Sequence, residues 1–139
     1  MKINTLPPEG AYVLIIKLKM ATIIRVGALG TQKFKKGYYT YTGSARRALP
    51  QRVSRHLRKK KRKRWHIDYL LSRAKVVEIA ATQELEECKI NELLINVGGK
   101  ILVKGFGSSD CRCPTHLLFW GDEDPTEKVK VTLYSSHQF

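Results

Sequence analysis

The run from Tyr12 to Leu18, YVLIIKL, constrains the fold more than any other stretch of the chain. Its β-branched and apolar residues favour extended backbone. It is apolar on successive residues until Lys17, so the strand is expected to be buried on both faces at its start, with alternation beginning at Lys17-Leu18-Lys19. Lys17, Lys19 and Arg25 break the best apolar window, Tyr12 to Val26, short of the roughly 18 to 20 uncharged residues that cross a bilayer. No membrane partner is expected. Met1-Lys2 leads into Pro7-Pro8-Glu9 rather than an apolar core, so no secretory leader is expected either. Three cysteines, an odd number, argue against a closed disulfide framework. These observations predict a soluble, cytoplasmic chain.

The remaining elements follow from pattern. Thr22 to Val26 is a strand expected to pair back on the first. Gly27, Gly30 and Thr31-Gln32-Lys33 mark a loop. Gly37 to Tyr41 is rich in tyrosine and is expected to be a strand. Pro50 fits only the first turn of a helix, which therefore starts near Arg47. Leu49, Val53 and Leu57 recur every four residues and form its buried stripe. Trp65 to Arg73 reads as a second helix and Lys75 to Ala81 as a strand. Thr82 is a candidate N-cap for a helix over Gln83 to Asn96, ended by Gly98-Gly99. Ile101 to Val103 and Leu117 to Trp120 read as short strands around a Gly/Ser/Cys loop. Residues 125 to 134 are ambiguous: Asp124-Pro125 suggests a helix start, whereas Val129, Val131 and Thr132 prefer strand. The 139 residues fit one domain.

Charge narrows the partners. Lys and Arg number 26 against 12 Asp and Glu, a net charge of +14. Such a surface implies a polyanion, above all a nucleic acid. Arg58 to Arg64 is seven consecutive cations. They cannot bury a face, so the run is a solvated helix end or a loop whose self-repulsion an anionic partner relieves.

Two short motifs precede this run. Gly10-Ala11-Tyr12 opens the first apolar strand, and Tyr41-Thr42-Gly43 closes the tyrosine-rich one. Arg52 and His56 stand one helical turn apart, on one edge of the buried stripe, where packing holds them while they face a groove. Two tyrosines at strand ends, an arginine and a histidine suit phosphodiester cleavage. Glu84, Glu86 and Glu87 follow on the later helix.

This order of strands, basic helix, strand and acidic helix resembles the GIY-YIG nuclease superfamily, over about residues 10–97. The middle residues of both motifs differ, with Ala11 and Thr42 where that family has isoleucine; the glycines and tyrosines remain. The resemblance implies a small α/β (α+β) domain with a central, mostly antiparallel sheet flanked by helices, followed by a Cys/Gly-rich extension over 98–139. It implies a metal-dependent endonuclease acting on DNA in preference to RNA, in repair or recombination. Tyr12 would help to deprotonate the attacking water. Tyr41 would position the nucleophile or phosphate, Arg52 would stabilise the developing charge, and His56 would donate to the phosphate or shuttle a proton. An unperturbed tyrosine titrates at about 10, so Tyr12 is a base only if neighbouring cations lower it. Glu87, with Glu86 second, would hold one Mg2+ or Mn2+. A late asparagine, Asn91 or Asn96, is a further feature of the family. Arg46, Arg47, Arg55, Arg58, Lys59, Lys60, Lys61, Arg62, Lys63 and Arg64 would hold the nucleic-acid backbone without reading sequence. The segment from Gly105 to Leu117 looks like a signature of one mostly uncharacterised branch, some members of which are joined to an endonuclease III-like repair domain. It either lines the cleft or only closes the sheet.

Cys111-Arg112-Cys113 and His116, with Cys88 or His66, form a Cys/His cluster, but the spacing is not the usual Cys-x2-Cys of zinc sites. The expectation is a metal-free loop with the thiols packed as small apolar groups. Three other readings stay open: a binding module that kept the fold without catalysis, an RNA-binding protein stacking bases on Tyr38 and Tyr39, and a zinc-stabilised module.

Overall fold

The YVLIIKL run forms β1 (Gly10–Leu18) in a four-stranded antiparallel sheet of order β5-β1-β4-β6, where β4 is Gly37–Ala45, β5 is Lys75–Thr82 and β6 is Leu117–Gly121. This computed structural model describes residues 3–108 and 113–134. Both faces of β1 are covered, and its apolar residues are at most 2% exposed. Tyr12, Leu14, Ile16 and Leu18 pack on Leu49 and Val53 of α1 (Leu49–Leu57) and on Ile67 and Leu70 of α2 (His66–Leu71). Ala11, Val13 and Ile15 pack on Ile90 and Leu94 of α3 (Glu87–Asn96) and on Val129 and Leu133 of α4 (Thr126–Tyr134). Each large side chain so buried contributes about 1.5–3 kcal/mol. The class is α+β, as the sequence implied. No helix among the described residues is long and apolar enough to cross a membrane.

Several boundaries differ from expectation, each for a tertiary reason. Thr22 to Arg25 is a strand, β2 (Thr22–Arg25), but it does not pair with β1. It pairs with β3 (Thr31–Phe34), which the sequence read as loop, in a separate two-stranded sheet. A short 3-10 turn at Gly27–Leu29, closed by Gly30 at φ 75°, returns the chain directly onto β2. β3 reads as loop because only Phe34 of its four residues is buried. The first helix starts at Leu49, two residues late, because Ala48 sits at φ 57° and cannot be helical. The third starts at Glu87 rather than Gln83: Thr82 Oγ1 accepts from the Glu84 amide at 3.0 Å in a turn, not a helix cap. Ile101 to Val103 is not a strand. Only Lys100 bridges to Phe119, and Val103 is buried from a turn. Residues 126–134 resolve as helix, with Val129 and Leu133 inward and Val131 57% exposed.

β6 and α4, both from the C-terminal extension, belong to the sheet and the core. β6 pairs with β4, Tyr39 opposite Phe119. Tyr39 is fully buried and donates to the Lys35 carbonyl at 2.6 Å, so it cannot stack on a base.

Candidate active site

Strand register sets Tyr12 opposite Gly43 and Leu14 opposite Tyr41. Side chains alternate along a strand, so Tyr12, Tyr41 and Gly43 share the face that α1 covers. Gly43 leaves room for the phenol: a Cβ there would stand 2.6 Å from the Tyr12 Cζ and hydroxyl. Gly43→Ala is therefore expected to cost about 1–3 kcal/mol by overpacking, although alanine is otherwise the better strand residue. Urea denaturation checks this; unchanged stability would show that the ring moves aside freely.

Leu49 and Val53, fully buried, fix the roll of α1 and turn Arg52 and His56 toward the sheet. His56 Nε2 lies 2.7 Å from the Tyr12 hydroxyl, and the ring also contacts Tyr41 and Trp65. Arg52 Nη1 donates to the Ser44 carbonyl at 2.8 Å. Ser44 Oγ donates to Glu87 Oε1 at 3.1 Å. Glu87 opens α3, where the helix dipole favours a carboxylate. Its Oε2 lies 3.4 Å from His116 Nδ1. Tyr12, Tyr41, Arg52, His56 and Glu87 line one cleft of about 280 Å³, with Arg64, Trp65, His66, Gly107 and His116 completing the wall. Glu86, the N-cap of α3, lies outside that lining.

Burial sets the protonation states. The Tyr12 phenol is pushed up well above its ordinary value, first by burial and then by Tyr41 and Glu87; nearby Arg52 opposes this without prevailing. Tyr12 is thus a protonated phenol, not the cation-activated base that the sequence allowed. Tyr41 is pushed up likewise, by burial and by the Glu87 and Asp68 charges. His56 is pushed down to about 4, first by burial, with Asp68 opposing and Lys61, Arg55 and Arg52 assisting. It is neutral at pH 7 and can accept the Tyr12 proton. Its Nδ1 is buried without a hydrogen-bond partner.

This has a consequence for stability. The folded His56 has a lower pKa than the unfolded one, about 4 against 6.5. The unfolded chain therefore binds more protons between those values. The contribution is complete above pH about 6.5 and is lost as pH falls toward about 4, on the order of 3 kcal/mol in all. Between pH 7 and pH 5, urea midpoints of wild type are expected to fall further than those of His56→Gln. Parallel losses would mean that His56 does not titrate in this window. His66 and His116 are also held below their ordinary values by burial, so the difference between the two proteins isolates His56.

The cationic run forms a tethered loop. Asp68 accepts from Arg55 Nη1 and Nη2 at 3.0 and 3.1 Å, and from the Arg64 and Trp65 amides at 2.8 and 3.0 Å. Lys61 Nζ donates to the His56 and Arg55 carbonyls at 2.6 and 3.2 Å, capping the C-terminal end of α1. Of the ten cations expected to face nucleic acid, Arg55 and Lys61 thus turn inward, while Arg46, Arg47, Arg58, Lys59, Lys60, Arg62, Lys63 and Arg64 are exposed. Trp65 carries the guanidiniums of Arg55, Arg52 and Arg64 at 4.4, 5.0 and 5.6 Å from its ring centre.

Asp68, Trp65 and the Glu87 contact of His116 escaped the sequence reading, which suggested His66 only as a partner of the cysteines, not as part of the cleft wall. A signal existed for two of them. Asp68 is the only acidic residue between Glu9 and Glu78, and Trp65 directly follows the cationic run. His66 does not join the cysteines. Its Nδ1 accepts from the Gly107 amide at 2.8 Å, which brings the glycine-rich segment to the cleft. Cys88, Cys113 and His116 do come together, their ligand atoms all within 4.8 Å of one another; Cys111 lies outside the described residues. Asn91 is buried and donates to the Thr115 carbonyl at 2.7 Å, so it holds the loop; Asn96 is exposed at the end of α3.

A family model described as a domain of unknown function, DUF123, matches residues 11–138. No curated protein and no solved structure matches the chain.

Proposed function

The chain belongs to the DUF123 family, whose function is unknown, and from the chemistry of its cleft we propose that it is a metal-dependent endonuclease of the GIY-YIG type, hydrolysing phosphodiester bonds in DNA. One observation carries the reading. Two tyrosines, an arginine, a neutral histidine and a carboxylate, drawn from β1, β4, α1 and α3, converge on one cleft beside a cationic loop.

Glu87 fits a single Mg2+ or Mn2+. A carboxylate offers about four lone-pair sites, its two contacts leave others, and its side chain is 31% exposed at the cleft. Magnesium keeps several waters and needs few protein ligands. Such an ion, when bound, supplies Lewis-acid polarisation of a phosphoryl oxygen. The chain's own groups do the rest. Arg52 donates to a non-bridging phosphate oxygen, held in place by the Ser44 carbonyl and the Trp65 ring. As the water oxygen bonds to phosphorus and the bridging P–O bond breaks, the Tyr12 hydroxyl takes the water's proton and passes its own to His56 Nε2, so that no free phenolate forms, and the departing oxygen takes a proton from solvent. Tyr41, two residues from Gly43 on β4, orients the phosphate from the same sheet face as Tyr12. Exposed cations from Arg58 to Arg64 hold the strand on either side through its phosphates.

The test is cleavage of end-labelled single-stranded, duplex, flap and junction DNA, and of RNA, with Mg2+ or Mn2+ supplied or omitted. Metal-dependent cutting of DNA is expected. Salt-sensitive binding without cutting would assign the chain to a binding module. Cutting of RNA alone would move the substrate class to RNA.

A further inference from the structure

We propose that Cys88, Cys113 and His116 form a zinc site that orients the cleft carboxylate Glu87. Three observations carry it. The first is spacing: Cys88 Sγ and His116 Nε2 are 3.8 Å apart, and Cys113 Sγ lies within 4.8 Å of both. Tetrahedral zinc, with bonds of about 2.3 Å to sulfur and about 2.0 Å to nitrogen, sets ligand atoms about 3.6–3.8 Å apart. Cys88 and His116 already stand at that spacing, and Cys113 has at most about 1 Å to close.

The second is the orientation of His116. Its Nε2 faces Cys88 while its Nδ1 faces Glu87 Oε2 at 3.4 Å. A metal-bound histidine typically donates its other ring N–H to a carboxylate, which fixes the ring and its tautomer. Zinc on Nε2 places the proton on Nδ1, so Glu87 receives a hydrogen bond from a ring that cannot turn. The carboxylate is then held from one side by Ser44 and from the other by His116.

The third is the frame and the access. Cys88 lies in the first turn of α3, and Cys113 and His116 lie in the loop before β6. That loop is clamped by Asn91 on the Thr115 carbonyl, by the Gly105 amide on the Pro114 carbonyl at 2.7 Å, and by the His116 amide on the Phe106 carbonyl at 2.8 Å. Cys88 and Cys113 line a surface pocket of about 390 Å³ that shares no lining residue with the cleft, whereas His116 lines the cleft, so the three donors stand between the two. Thiolate and imidazole donors select zinc over magnesium or manganese, so the two sites are separated by ligand softness as well as by position. Three protein donors leave one coordination position for a further ligand.

The experiment uses the full chain, purified without chelator and after reconstitution of the apoprotein with Zn2+ or Co2+. About one zinc per chain is expected to survive gel filtration. Co2+ is expected to give thiolate-to-metal charge transfer in the near ultraviolet and tetrahedral bands in the visible. Both signals should vanish in the C88S/C113S double variant, with circular dichroism reporting whether it folds. Glu87→Gln, which removes the carboxylate charge, should weaken zinc binding roughly tenfold. Wild type that holds no zinc after reconstitution, or zinc and cobalt signals unchanged in the double variant, would overturn the site. Affinity unchanged in Glu87→Gln would overturn the link to the cleft. The metal content and spectrum need no substrate. A chain that binds zinc without cutting DNA therefore keeps this site and loses only the nuclease reading.

Discussion

Glu87→Ala is expected to reduce metal-dependent cleavage about a thousandfold while leaving nucleic-acid affinity within about twofold. Losing a metal's stabilisation of developing phosphoryl charge removes several kcal/mol from the transition state, and about 4 kcal/mol corresponds to about 10³ in rate. Affinity survives because the exposed cations that would hold phosphates lie mainly between Arg58 and Arg64, and removing one negative charge does not weaken them. Tyr12→Phe is expected to lose about a hundredfold, the lower range for a positioned proton-transfer group. It also leaves His56 Nε2, buried at 2% residue exposure, without its 2.7 Å partner. Cleavage rates under single-turnover conditions, with affinity measured in parallel, check both. Because Glu87 also contacts His116, the zinc content of Glu87→Ala is read in the same preparation. Cutting lost with zinc retained assigns the loss to the cleft metal. Cutting that survives both substitutions would remove Tyr12 and Glu87 from the chemistry.

The second large effect is structural. Asp68→Ala is expected to cost about 3–5 kcal/mol, the range for breaking one side of a buried ion pair. For a chain of this length that lowers the melting temperature by on the order of 10–20 °C. The Asp68 side chain is fully buried, and its carboxylate takes two guanidinium and two backbone N–H groups. Burial alone would raise its pKa, but the Arg55 and backbone hydrogen bonds prevail and hold it below the usual carboxylate range. A depressed folded pKa gives stability that is complete above the unfolded value of about 3.9 and is lost as pH falls below it. This loss is expected to add to that of His56 and to set in at lower pH. Without Asp68, Arg55 is left half-buried and charged, and the Arg64 and Trp65 amides at the start of α2 lose their acceptor. Trp65 then loses its seat among three arginines, so affinity for nucleic acid should fall along with stability. Thermal melts and salt-dependent binding of Asp68→Ala and Asp68→Asn, compared at pH 7, measure both. A change of less than about 1 kcal/mol would show that the loop does not depend on this anchor.

Reading the sequence succeeded where a pattern is local. YVLIIKL reads as a doubly covered strand because Ala11, Val13 and Ile15 face one layer while Tyr12, Leu14 and Ile16 face the other. The four-residue recurrence of Leu49 and Val53 located α1 and put Arg52 and His56 on one edge. Reading failed where partners are chosen at a distance. TIIR reads correctly as strand, yet whether it joins β1 or folds back on β3 depends on the turn at Gly27–Leu29. Val129 and Val131 carry the same local preference; the packed core places one inside and leaves the other in solvent.

The sequence by itself determined the cationic surface, the doubly covered first strand and the helix edge that carries Arg52 and His56, because composition and periodicity are written along the chain, while its resemblance to a known superfamily implied the α+β class. Tertiary structure alone decided which residues meet and in what protonation state. Tyr12 and His56 stand 44 positions apart, and Glu87 and His116 come from separate elements. Their contacts rest on strand register and the clamped loop before β6, and burial pushes the Tyr12 phenol further up and the His56 imidazole down. Desolvation depends on everything packed around a group, and no local window of sequence encodes it.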